Sequence, residues 1–296
     1  MNYASLCSGV GGLDLAVEIV FGAEVAWHAE IDKEANKVLA KHWPGTPNYG
    51  DITKIVWEEM LPVVDIVCAG PPCQPVSRSG PRKGEADERF LWPYVLDAVG
   101  RLRPGWVVFE NPPGVKPWLG RIISSLARLG YVGTWGVYSA NAVGACHRRE
   151  RIFVLAANPG SPGVKYFCDL VSGSEEPGWR EPGPSYLTAR PVGWADAGGR
   201  PVLATFEDGS TEDYGPALRR HRYFVARIAP KPLDDKGYLR GAFLEWMMML
   251  PEGLLVEATP SAQRRLAGNA VCPPQAEMAL WGLLERLVAL LGSERR

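Results

Sequence analysis

The spacing of apolar and polar positions alternates between two periods over the first 157 residues. "NYASLC" predicts a short strand, "SGVGG" a glycine turn, and "LDLAVEIVF" a helix opened by that turn. "EVAWHAEID" predicts a second strand that ends in acids, followed by the helical "KEANKVLAKHW". "VVDIVCAG" is apolar without interruption, as a strand buried on both faces requires. "ERFLWPYVLDAVGRLRP" has helical spacing, with Pro93 either in its first turn or kinking it. "GWVVFEN" predicts a strand, "KPWLGRIISSLARLG" a helix, and "YVGTWGVYSA" and "RIFVLAA" two more strands. Strand alternating with helix predicts an α/β fold, a parallel sheet with helices on both faces.

The texture breaks after "AANPGSPG". Residues 158–216 are rich in Gly, Pro, Ser and acids and show little period, which predicts a linker or an irregular small domain. "LRRHRYFVARIAP" predicts a strand or two, "GAFLEWMMML" a compact helix, and "PPQAEMALWGLLERLVALL" a long one. A chain of 296 residues exceeds what one ordinary core serves, so a large domain and a smaller one are expected. With 46% hydrophobic and 22% charged residues the composition is that of a soluble globular protein. No apolar run reaches the roughly 18 residues of a membrane span. The N-terminus lacks a signal peptide's basic start and cleavage site, so a cytoplasmic location and no membrane partner are expected. The six cysteines are dispersed and form no C-x-x-C pair, which argues against a disulfide framework and a metal site. The net charge of −1 does not mark a nucleic-acid binder, although a cleft needs positive charge only locally.

Two loops carry candidate chemistry. In the first, Ser8-Gly9-Val10-Gly11-Gly12 joins a strand to a helix, where glycines admit a ligand and the helix N-terminus favours a carboxylate or phosphate. Such a loop also serves as a plain tight turn, and it is shared by NAD, FAD and S-adenosylmethionine proteins. Glu30 and Asp32 end the second predicted strand, where a carboxylate can accept both ribose hydroxyls. Asp51 ends a predicted third strand, "YGDIT", within reach of an adenine amino group. Acids after successive strands suit a nucleoside, and either NAD or S-adenosylmethionine fits. In the second loop, "GPPCQPVSRSG" places Cys73 just past a strand, in a stiff turn that is either a structural corner or the mount of a nucleophile. Glu110 ends the next strand. Arg149 and Arg151 alternate on entry to another, which predicts that both point to one face.

"SLCSGVGGLD", "AEID", "GDI", "GPPCQPVSRSG", "FENPPG", "HRRERIF" and "RRLAGNAVCPPQA" resemble, in order, the conserved blocks of DNA cytosine-5 methyltransferases. The resemblance covers residues 4–157 and 240–280. It implies a Rossmann-like, mostly parallel S-adenosylmethionine-dependent methyltransferase sheet at 1–157, an irregular target-recognition domain at 158–240, and a C-terminal segment, 241–296, that returns to the first domain. It implies that Cys73 attacks cytosine C6, that Glu110 in protonated form holds N3 and the exocyclic amine, and that Arg149 and Arg151 hold the base and order the site. S-adenosylmethionine would lie against Cys7, Gly9, Gly11, Gly12, Leu13, Glu30, Ile31, Asp51, Ile52, Pro71, Asn269 and Val271. Double-stranded DNA is the implied partner, with the target base flipped out of the duplex. Gln74, Ser77, Arg78, Arg82 and Lys83 of a lid-like loop, and Arg219, Arg220 and Arg222 of the recognition segment, are the expected DNA contacts. The family also implies a monomer in a bacterial cell, of bacterial or phage origin, with a restriction endonuclease as a functional counterpart.

The chain departs from the family at Cys7 and Val76, where Phe is usual, at Pro112, where Val is usual, and at His147, where Gln is common. Three rivals stand beside this reading. A tRNA cytosine-5 methyltransferase shares the blocks, but usually adds a Cys-Phe-Thr signature that is missing here. An amino-directed methyltransferase is suggested by "NPPG", one aromatic short of its motif. An inactive DNA-binding homologue would have lost the reacting residues that this chain keeps.

Overall fold

The computed structural model describes residues 1–56, 62–72, 91–173, 203–205, 211–213 and 229–293. Strands β1 (Asn2–Leu6), β2 (Glu24–Ala29), β3 (Ile66–Ala69), β4 (Trp106–Asn111), β5 (Val132–Ser139) and β6 (Glu150–Ala157) form one sheet in the order β2-β1-β3-β4-β6-β5. The first four run parallel. Strand β6 enters between β4 and β5 antiparallel to both, so the sheet is mostly parallel, as expected, with one antiparallel strand near that edge. A difference concerns the strand expected at "YGDIT". It shrinks to one bridge between His28 and Asn48, followed by a 3-10 turn over Ile52–Lys54.

Side-chain alternation divides the sheet into two packed faces. Ile66 and Cys68 point to one face, toward α1 (Gly12–Phe21), α5 (Pro162–Gly173) and a long terminal helix, α8 (Pro273–Ser293). Val67 and Ala69 point to the other, toward α3 (Trp92–Leu102) and α4 (Lys116–Arg128). Leu280, Leu283 and Leu287 of α8 have no exposed surface, and burial of each such side chain contributes about 1.5–3 kcal/mol. Pro93 falls in the first turn of α3, where its missing N–H costs no helical hydrogen bond. Helix α5 lies beyond the break in texture, yet its Val164, Phe167 and Cys168 join the core around Trp106 and Phe21.

A third cluster packs α2 (Lys33–His42) against α6 (Gly241–Met247) and α7 (Pro260–Asn269), through Val38, Leu244 and Leu266 among others. Helix α7 was not predicted, because "RRLAGN" is polar and carries a glycine. Two short strands, β7 (Leu203–Thr205) and β8 (Thr211–Asp213), pair antiparallel within the stretch read as irregular. The run "LRRHRYFV", expected to supply a strand, lies outside the described residues. Among the described residues no helix is long and apolar enough to cross a membrane, no group of acids, His and Cys could hold a metal ion, and the cysteines form no disulfide.

Candidate active site

A cleft of about 840 Å³ opens beyond the carboxyl ends of β1, β2, β3 and β4. The glycine loop forms its floor, and the glycines there do three different things. Gly9 has φ of +57° and open space where a Cβ would be. Gly11 is also left-handed, but a Cβ on it would stand 2.2 Å from the Trp43 ring; its lack of a side chain serves packing, and it does not line the cleft. At Gly12 a Cβ would meet the Val271 carbonyl oxygen at 2.4 Å, so this glycine lets the C-terminal block close on the first domain. Cys7 precedes the loop with φ of +55°, pinned by a hydrogen bond from its N–H to the Ala29 carbonyl. Burial pushes its thiol up to about 12, so it stays protonated.

The carboxylate of Glu30 is 8% exposed and accepts from the N–H groups of Gly9 and Asp32, both at 2.7 Å. Burial raises its pKa, and these two hydrogen bonds only partly offset the shift. Next to it Ile31 is 67% exposed, an apolar surface turned to the cleft. Asp32 is engaged elsewhere, capping α2 by accepting from Glu34 and Ala35 and pairing with Arg265 across the rim. Asp51 caps the 3-10 turn through Thr53. Burial pushes the Asp51 carboxyl up, but the Thr53 hydrogen bonds and the Lys54 ammonium outweigh it and the net shift is downward. Leu13, Ile52, Pro71, Asn269 and Val271 also line the cleft.

On the opposite wall Glu110 is the penultimate residue of β4, 6% exposed, with Arg151 Nε at 3.0 Å from its Oε1. The two groups are at ion-pair distance but misaligned, and Oε1 accepts no hydrogen bond. Burial raises the pKa of Glu110, against the pull of Arg151 and then Arg149. The two arginines do not share a face. Arg149 lies ahead of β6 with φ of +36°, and its guanidinium donates to the Ala270 carbonyl instead of lining the cleft. Burial, and then the charge of Arg151, lowers the pKa of Arg149 to about 10, where it is still charged at neutral pH. The strand alternation that put both on one face fails because Arg149 turns away before the strand begins.

His147 sits 3.1 Å from the Met247 carbonyl through Nε2; burial, followed by the charge of Arg149, lowers its pKa to about 4 and keeps it neutral. Asn111 donates to the Pro71 carbonyl at 2.9 Å and is 3% exposed. Cys73, Gln74, Ser77, Arg78, Arg82 and Lys83, with Val76, lie outside the described residues, as do Arg219, Arg220 and Arg222. Sequence reading missed the Asp32–Arg265 pair and Ala270 at the rim. Both Arg265 and Ala270 lie within the block "RRLAGNAVCPPQA", which was the only signal that pointed to them.

The mostly parallel α/β sheet with a cleft at its carboxyl edge is consistent with the fold of S-adenosylmethionine-dependent methyltransferases. Residues 1–173 match the family described as C-5 cytosine-specific DNA methylase, and the chain belongs to that family. It is 35% identical over 163 residues to the Type II methyltransferase M.HgiBI of Herpetosiphon aurantiacus, covering 52% of this chain and 36% of the relative. It is 31% identical over 161 residues to the Type II methyltransferase M.DsaV of Dactylococcopsis salina, covering 52% and 45%. A DNA N-6-adenine-methyltransferase of Escherichia phage P1 is 30% identical over 247 residues, covering 78% of this chain and 29% of that one. The chain thus spans less than half the length of these curated relatives. In fold it is similar to a Spodoptera frugiperda DNMT2 mutant, with a TM-score of 0.59 at 16% identity over 96% of this chain and 99% of that one. The S. pombe Dnmt2 methyltransferase gives 0.58 at 16% identity, over 97% and 99%.

Proposed function

We propose that the protein methylates C5 of cytosine in double-stranded DNA, with S-adenosylmethionine as cofactor. The observation that carries this reading is Glu110. It is a buried carboxyl with a raised pKa and an oxygen that accepts no hydrogen bond, near the carboxyl end of β4 on the wall of the cleft. Burial favours the protonated form of a group so placed, the form that can give a proton to a ring nitrogen.

The residues present fit the cofactor. Glu30 offers its carboxylate to a ribose, Ile31 an apolar surface to an adenine, and the first turn of α1 its N-terminus to a carboxylate. When bound, the cofactor supplies the methyl group that C5 takes up. The chain's own part begins with Cys73, whose thiolate forms a bond to C6 while Glu110 passes its proton to N3. Arg151, at ion-pair distance from Glu110, steadies the carboxylate left behind. Solvent water takes the C5 proton as the thiolate leaves C6 and the aromatic ring is restored, and Glu110 regains its own proton from N3. The base must be outside the duplex for either face of its ring to be reached.

Within residues 158–240 we assign the part beyond α5, 174–240, to target selection, because it follows the last element packed in the first domain's core and carries Arg219, Arg220 and Arg222. Its likeness to relatives named Type II methyltransferases supports a role in DNA modification.

The phage relative named for adenine N-6 methylation favours a second reading, an amino-directed enzyme built on Asn111-Pro112-Pro113. The engagement of Asn111 with the Pro71 carbonyl weighs against it. Transfer of labelled methyl groups to duplex DNA and to tRNA, with bisulfite sequencing of the product, tests the proposal. Protected cytosines in DNA are expected; label confined to tRNA or to adenine would overturn it.

A further inference from the structure

Gln275 stands in the first turn of α8 with no exposed surface. Its Nε2 donates to two main-chain carbonyls, those of Tyr138 at 2.9 Å and Arg149 at 2.7 Å. Both partners are acceptors, so the amide can stand only this way round. The two carbonyls flank the connection between β5 and β6, and Gln275 ties its ends together. Arg149 answers in the opposite sense: its guanidinium donates to the Ala270 carbonyl, five residues before Gln275. One residue is therefore held twice by one segment, by its main chain at Gln275 and by its side chain at Ala270. Arg149 needs such holding, since φ of +36° is a conformation that a side chain disfavours. Ala270 lines the cleft beside Asn269 and Val271, and Arg149 adds its charge to the field at Glu110.

We infer that Gln275 is a positioning residue which holds Arg149 in its left-handed conformation and so couples the cofactor side of the cleft to the Glu110–Arg151 pair. The inference rests on the proposed C5-methyltransferase reading. A glutamine that only filled a gap in the core would show no dependence on the donor character of its amide. Gln275 needs that donor, because both groups it faces are carbonyl oxygens.

Gln275→Glu in the full chain tests this. An ionised carboxylate sets oxygen against two carbonyls, whereas the protonated form can donate to one of them. At about pH 8.5, kcat for methyl transfer to DNA should fall roughly tenfold or more, as leaving buried acceptors unpaired implies, while KM for the cofactor stays within about threefold. As pH is lowered toward about 6, the kcat of the variant relative to wild type should recover severalfold, as the new carboxyl gains its proton. Leu287→Ala, which truncates a side chain buried in the apolar core on the same helix, should give a ratio that is flat with pH. Should Gln275→Glu fail to fold, Gln275→Asn keeps an amide donor but falls short of one carbonyl, and should lower kcat with KM kept. In an Arg149→Ala background either change at Gln275 should add no further loss of kcat. A pH ratio as flat as that of Leu287→Ala, or full additivity with Arg149→Ala, would overturn the inference while wild type remains active on DNA. A wild type inactive on cytosine in DNA would overturn the functional reading beneath it as well.

Discussion

Replacing Arg151 with alanine takes away the cation 3.0 Å from Glu110 and leaves a carboxyl that is 6% exposed. Breaking a buried ion pair by removing one partner costs about 3–5 kcal/mol. Arg151 retains 15% of its side-chain exposure and borders an open cleft, so water can reach the gap, and the low end, about 3 kcal/mol at pH 8, is expected. For a chain of this size that corresponds to a fall in melting temperature of roughly 6–12 °C. The loss should depend on pH, and its sign follows from linkage. Burial raises the folded-state pKa of Glu110 above its ordinary 4.5, while Arg151 pulls it back down. Without Arg151 the folded-state value rises further, and the unfolded value is unchanged. Below the unfolded value the carboxyl is neutral in both states, and the electrostatic part of the loss vanishes. That part grows as pH rises through the folded-state value and then levels off. Chemical denaturation of both proteins across about pH 4 to 8 measures the difference, and Glu110→Gln added to Arg151→Ala should restore most of it. A loss of the same size at every pH, unaffected by Glu110→Gln, would show that Arg151 contributes by packing alone.

Other outcomes follow from the cofactor side and the middle of the chain. Glu30→Ala removes the acceptor of two 2.7 Å hydrogen bonds and should weaken S-adenosylmethionine binding by about 1.5–3 kcal/mol in calorimetry; unchanged affinity would reduce Glu30 to a loop brace. Gly12→Ala sets a Cβ 2.4 Å from the Val271 carbonyl and should cost about 1–3 kcal/mol of stability by denaturation, since backbone must shift to admit it. Exchanging residues 174–240, which leaves α5 in the core, for those of a relative with a different target should move the sites protected in bisulfite sequencing; retention of the original sites by an active hybrid would refute the assignment of target choice to that segment.

Much of the sheet was legible because buried parallel strands leave an unbroken apolar signature, as in Ile66–Ala69, where every residue has no exposed surface. What period alone could not reveal is direction. The "RIFVLAA" strand reads the same parallel or antiparallel, and its entry between β4 and β5 is set by the connection through Ala140–Val143. Asp51 was legible as a cleft residue but not as a helix cap, because the carboxylate serves the Thr53 N–H whether or not a strand precedes it. For the arginines, alternation assumes extended backbone through both positions, and Arg149 breaks it at φ of +36°. Gln275 carried no signal of its own role. Which carbonyls meet the first turn of α8 depends on where a helix from the far end of the chain docks on β5.

The central claim, a covalent attack on cytosine within the cleft that Glu110 lines, has one direct measurement. Duplex DNA carrying 5-fluorocytosine at the methylated site should trap the protein, because fluorine at C5 cannot leave as a proton and the thiolate cannot then be expelled. With cofactor present, a protein–DNA band that survives denaturation is expected for wild type and not for Cys73→Ala. Active wild-type protein that yields no such band, or a band undiminished in Cys73→Ala, would contradict the account.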